Sequence, residues 1–187
     1  MASTRIAQGV SRVPEDVFIE DGMEVVAGGL TVTAGTTTIG GSFVRDLVTL
    51  TATDAITVAE HAGRILLMGE VGGDAAATFT LPAATGSGAE FQFIVSVVNT
   101  SNYIIAVADA TDTIDGSVIL HQDSANTVVS FNTASDSDTI TLNGTTKGGV
   151  SIGDEITLID IATNQYMVKG VLTASGTEAT PFSAAVS

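Results

Sequence analysis

The chain has no cysteine and no tryptophan, and only three prolines among its 187 residues. Without cysteine, neither a disulfide nor a thiolate metal site can hold the fold, so stability must come from packing and association. Charge is scarce as well. Charged residues make up 14% of the chain, where about 25% is usual for a soluble globular protein. Positive charge is scarcest, with 6 Lys and Arg against 21 Asp and Glu, for a formal charge of -15. Such a surface repels phosphate backbones and anionic headgroups at long range, which excludes nucleic acid and lipid surfaces as expected partners. The acidity itself is read as a solubility device.

Long apolar runs are also missing. No stretch approaches the roughly 18 apolar residues needed to span a bilayer, so no membrane span is expected. Residues 1–10 carry polar groups where the apolar part of a secretory leader would lie, and synthesis in the cytosol is expected.

What fills the chain instead is Thr, Ser, Gly, Asn and Ala around a hydrophobic fraction of 44%. Small neutral groups are buried against neighbours at little cost in charge desolvation or side-chain entropy, which suits subunit contacts. Thr, Val, Ile and Gly crowd every window in which a helical period could emerge. Only residues 59–62 are read as one short helical turn.

Two regions are expected. Residues 1–46 form an extended N-terminal arm, because Pro14, Gly22, Gly28, Gly29, Gly35, Gly40 and Gly41 interrupt every apolar cluster. At about 3.3 Å per residue the arm would reach at most about 150 Å, enough to cross onto a neighbouring subunit or to add strands to its own domain. Residues 47–187 form an all-β domain, an antiparallel β-sandwich or barrel of jelly-roll type. Val48, Leu50 and Ala52 alternate with Thr49, Thr51 and Thr53, the period of a strand with one buried face. Further strands are expected at 64–68, 78–81, 90–98, 103–107, 117–120, 127–131, 139–142, 155–161 and 165–172. Phe91 and Phe93 are assigned to the core. The 90–98 and 103–107 segments are expected to pair across the polar connection 99–102, and the last two strands across 162–164. Asn143-Gly144 signals a turn.

Catalytic chemistry finds little purchase. The two histidines, His61 and His121, are the only side chains with an unperturbed pKa near neutrality, and neither stands in a known motif. Both are read as structural or solvent-facing. No G-x-S-x-G is present to support a hydrolase. Asp109, Asp112 and Asp115 offer carboxylates that calcium could use, but their spacing does not match an EF-hand loop, and turn formation is the favoured role. Gly86-Ser87-Gly88 and Lys147-Gly148-Gly149 are glycine-rich without a complete phosphate-binding signature, and both are read as turns. Asn99 and Asn143 begin glycosylation sequons without significance unless the chain is secreted. No catalytic residue, cofactor or metal is assigned.

The stretch Thr78-Phe79-Thr80-Leu81-Pro82-Ala83-Ala84-Thr85-Gly86-Ser87-Gly88, followed by Phe91-Gln92-Phe93-Ile94-Val95, resembles a pattern of bacteriophage virion proteins. It follows a run, His61 to Leu67, of the kind found there. Thr100 to Ile105, Gly153 to Ile159 and Asn164 to Gly170 match in order, so the resemblance covers about residues 47–175. Gln165 departs from the pattern, standing where an aromatic residue is expected before the tyrosine. The resemblance implies a non-enzymatic head decoration, or cement, protein on the outer capsid surface, bridging major capsid protein subunits as a homo-oligomer, a trimer. It also fits a tail or appendage component. A carbohydrate-binding β-sandwich is a separate reading, weakened by the absence of Trp and by having only Tyr103 and Tyr166 as tyrosines.

Overall fold

The computed structural model describes residues 42–186. The expected N-terminal arm lies outside the described residues except for its last five. Twelve short strands follow: β1 Leu47–Leu50, β2 Asp54–Ala55, β3 Ile65–Met68, β4 Ala77–Thr80, β5 Glu90–Val95, β6 Tyr103–Ala106, β7 Thr113–Gln122, β8 Val128–Asn132, β9 Thr139–Leu142, β10 Glu155–Ala162, β11 Gln165–Ala174 and β12 Phe182–Ser183. One helical turn, α1 Val58–His61, is capped by Thr57, whose hydroxyl accepts the Glu60 N–H. The all-β sandwich expected from period-two alternation is what forms.

The pairing differs from an antiparallel arrangement. Seven strands lie in one sheet in the order β1-β3-β5-β10-β11-β7-β8, and five in a second in the order β12-β9-β6-β4-β2. Strands β1 to β6 alternate between the sheets, β1, β3 and β5 pairing in parallel in one and β2, β4 and β6 in the other. The first half therefore winds as three turns of a flattened parallel coil. From β7 onward, antiparallel pairs complete both sheets, apart from the parallel β7/β11 contact.

The expected hairpin between 90–98 and 103–107 is corrected by this topology. β5 lies in the larger sheet and β6 in the smaller one, so the connection crosses the sandwich. Asn99 shapes the crossing, donating from Nδ2 to Ala75 O at 2.7 Å and accepting the Ser101 N–H at 2.7 Å. Tyr103 continues it, donating to Val97 O at 2.9 Å. The expected closing hairpin does form, as the antiparallel β10/β11 pair with a bulge before Gln165.

The core lies between the sheets. Phe91 and Phe93 from β5 are fully buried, as expected. Phe93 stacks on Phe79 of the opposite sheet with ring centroids 5.9 Å apart, and Phe79 stacks on Tyr103 at the same distance. Such pairs add about 0.5–1.5 kcal/mol each beyond their area burial. At the edge of the larger sheet, Arg45 donates to Gly63 O, Arg64 O and Gln92 Oε1 at 2.7–2.8 Å, fixing the start of β1 against β3 and β5.

Candidate functional site

A buried polar constellation inside the fold is built on β10. Its alternation sends Ile156 and Leu158 into the core, and Asp160 follows on the same face, only 3% exposed. A buried carboxylate requires donors. They come from the glycine-rich stretch that sequence reasoning treats as a turn. Asp160 Oδ1 accepts the N–H groups of Thr85 at 3.0 Å and Gly86 at 2.7 Å. Oδ2 accepts the Ser87 N–H at 2.9 Å and the hydroxyls of Ser87 at 2.6 Å and Thr85 at 3.1 Å. Gly86 adopts a φ of 78° here, which aims successive N–H groups at one point. The loop is an anion nest, and the anion is the protein's own.

Two neighbours complete the clamp on this loop. Asp112 is buried, and its Oδ2 accepts the Ala84 N–H at 3.2 Å. Tyr166 is buried too, donating to Pro82 O at 2.7 Å and meeting Phe91 edge-on at 6.4 Å. Burial pushes the Asp160 carboxyl up, but the hydrogen bonds from Ser87, Gly86 and Thr85 outweigh it and hold it at about 2. Asp112 moves the other way: burial raises its carboxyl, the Ala84 N–H only partly offsets this, and the charges of Asp109 and Asp160 add to the rise. Burial, and then the charges of Asp160 and Asp112, push the Tyr166 phenol well up.

The same chemistry recurs elsewhere. Asp154 Oδ2 accepts the N–H groups of Gly149 at 2.8 Å and Thr173 at 2.9 Å. Asp138 accepts those of Ala185 at 2.7 Å and Val186 at 3.2 Å. Glu70 accepts that of Asp74 at 3.0 Å. These side chains are all buried, and backbone N–H groups supply charge-assisted hydrogen bonds to them. Part of the acidity is thus internal scaffolding: Asp160, Asp154 and Asp138 tie separate segments together, and Glu70 braces its own loop.

The residues singled out from sequence disperse over the fold. His61 is 4% exposed; its Nδ1 accepts the Thr57 N–H at 3.0 Å, placing the ring proton on Nε2, 3.9 Å from Asp54 Oδ2. His121 lies within 3.0 Å of the Thr173 hydroxyl through Nε2. A concavity beside it is lined by the single continuous segment His121 to Val128, and the one side-chain partner of the imidazole among the described residues is the Thr173 hydroxyl. Asp109 forms the expected turn, accepting the Thr111 N–H at 2.8 Å, while Asp112 turns to Ala84 and Asp115 to Gln165 Nε2 at 2.8 Å. Among the described residues, no three acidic or histidine side chains form a group able to hold a metal ion. Asn99 is buried, and the Asn143 side chain is engaged within its own turn, accepting the N–H groups of Thr145 and Lys147. Tyr103 and Tyr166 both lie in the core, so neither offers a stacking platform.

Sequence reasoning passes over Asp160. Its signal is an acidic residue at a core-facing position of a strand whose other core-facing residues are apolar. No protein-family model, curated protein or solved structure matches this chain.

Proposed function

We propose that this protein is a non-enzymatic bacteriophage capsid decoration protein, binding the outer capsid surface and stabilising the shell by bridging major capsid protein subunits as a homo-oligomer. The observation that carries the reading is the ordered resemblance running from His61 through the Thr78 to Val95 segment to Gly170. Composition supports it: a chain with 14% charged residues buries its surface against neighbours at low desolvation cost, and a net charge of -15 suits a position away from packaged DNA. The acids that hold the loops also support it, because a rigid surface loses little entropy on docking. The mechanism is multivalent clamping, in which several modest contacts borne by one oligomer raise the effective concentration of each.

The test is localisation by cryo-electron microscopy of purified particles, together with capsid binding by a chain lacking residues 1–30. Density on the outer shell and reduced occupancy of the truncated chain are expected. Density on the tail would move the protein to an appendage role, and unchanged occupancy would remove the arm from the clamping mechanism.

A further inference from the structure

The four sheet edges are unequal. β2 and β12 are two residues each, and β1 is four residues long and directly follows Arg45 and Asp46. β8, Val128–Asn132, is five residues long and, among the described residues, pairs only with β7. It sits inside an uncharged run, residues 124–135, bounded by Asp123 and Asp136. Proteins protect exposed edges with lysine, proline or inward charge, and β8 has none of these.

Its hydrogen-bonding phase follows from its ends. Thr127 O accepts the Gln122 N–H, and the Thr133 N–H donates to Gly116 O. Odd-numbered residues therefore turn their backbone groups toward β7. Alternation then points the N–H and C=O groups of Val128, Ser130 and Asn132, all exposed, out of the sheet.

We infer that β8 is a self-pairing edge, where a second copy of this chain adds its own β8 antiparallel about a twofold axis at Ser130. The occupant follows from charge and register. Copies of a chain with net charge -15 repel one another wherever acids meet, and this edge brings together only neutral residues. A basic partner would gain nothing at an uncharged strand. In the symmetric register, Ser130 exchanges backbone hydrogen bonds with its counterpart, and Val128 does so with Asn132. The core-side residues Val129 and Phe131, each half-buried in one copy, then oppose each other across the axis. An aromatic beside a β-branched residue is a favourable cross-strand pair, so each copy completes the burial that the other lacks. The pairing is twofold, unlike the trimer that the family resemblance implies. It is measured on isolated protein and does not rest on the capsid reading.

The experiment is sedimentation equilibrium on the full chain, with Ser130→Pro and Ser130→Lys as edge blockers. Neither removes a bond to β7, and circular dichroism checks that each variant keeps its fold. Ser130→Cys supplies a second readout in a chain without other cysteines, with the exposed Ile152→Cys as the collision control. The expected results are a mass of two copies, single copies for both blockers, and a disulfide-linked pair forming on oxidation for Ser130→Cys but not for Ile152→Cys. Single copies of the unaltered chain at every concentration, a mass of three copies, or an assembly that both blockers leave intact would overturn the inference.

Discussion

The Ser87 hydroxyl donates a 2.6 Å hydrogen bond to Asp160, joining residues 73 positions apart. With the N–H groups of Thr85, Gly86 and Ser87 on the same carboxylate, it ties the loop after β4 to β10.

Replacing Asp160 by Asn keeps the shape but places an NH2 donor against a ring of donors. Unpaired buried donors and a lost charge-assisted network make the expected destabilisation about 2–4 kcal/mol, read from urea unfolding at neutral pH. Ser87→Ala removes one hydroxyl donor and is expected to cost about 1.5–3 kcal/mol. If Asp160→Asn unfolds at the same urea midpoint as the parent, the clamp contributes nothing to stability.

Acid pH separates Asp160 from Asp112. Asp160 is lowered in the fold from 3.8 to about 2, so its contribution is full above 3.8 and is lost as pH falls toward 2, amounting to about 2 kcal/mol. Asp112 is raised above 3.8, so the folded state binds its proton more tightly and this group adds stability as pH falls through its raised value. Stability measured against pH should therefore lose its steepest acid limb in Asp160→Asn, whereas Asp112→Asn should lose the gain that precedes it. Identical acid profiles for all three proteins would contradict the assignment.

At alkaline pH the tyrosines should report the fold. Burial raises both Tyr103 and Tyr166, so their contribution is full below 10.0 and is lost as pH rises above it. Phenolate absorbance is expected to appear together with unfolding rather than before it. Titration of either ring in a still-folded protein would show that it is not sequestered.

Gly144 illustrates a backbone constraint. At its φ of 65° an added Cβ would lie 2.2 Å from Asn99 O, on the strand crossing that replaces the expected hairpin. Gly144→Ala is expected to cost about 2 kcal/mol, observed as a lower melting temperature. An unchanged melting temperature would mean that the crossing relaxes freely.

Strand positions were legible because burial on one face writes a period of two into the residues, as at Phe91, Phe93 and Val95. The same pattern carries no label for the partner strand. Four-residue strands such as β4 and β6 read alike whether they turn back on a neighbour or cross to the opposite sheet, and the turns of the coil differ in length, which hides any repeat. The candidate site was less legible still. Asp160 and its nest come together only because β10 and the 82–88 loop meet in space, whereas Asp109, Asp112 and Asp115 stand close in sequence and face different partners.

The sequence by itself determined an all-β chain without disulfides, with Phe91 and Phe93 in its core and a turn at Asn143-Gly144, because these depend on local alternation and local backbone freedom. Only the tertiary structure decided that the first six strands coil in parallel, that a glycine-rich loop closes on an internal carboxylate, and that β8 is a neutral edge strand among the described residues. Hydrogen-bond partners and desolvation are set by which groups meet across the fold, and short strands of similar composition leave that choice open until the whole sandwich packs.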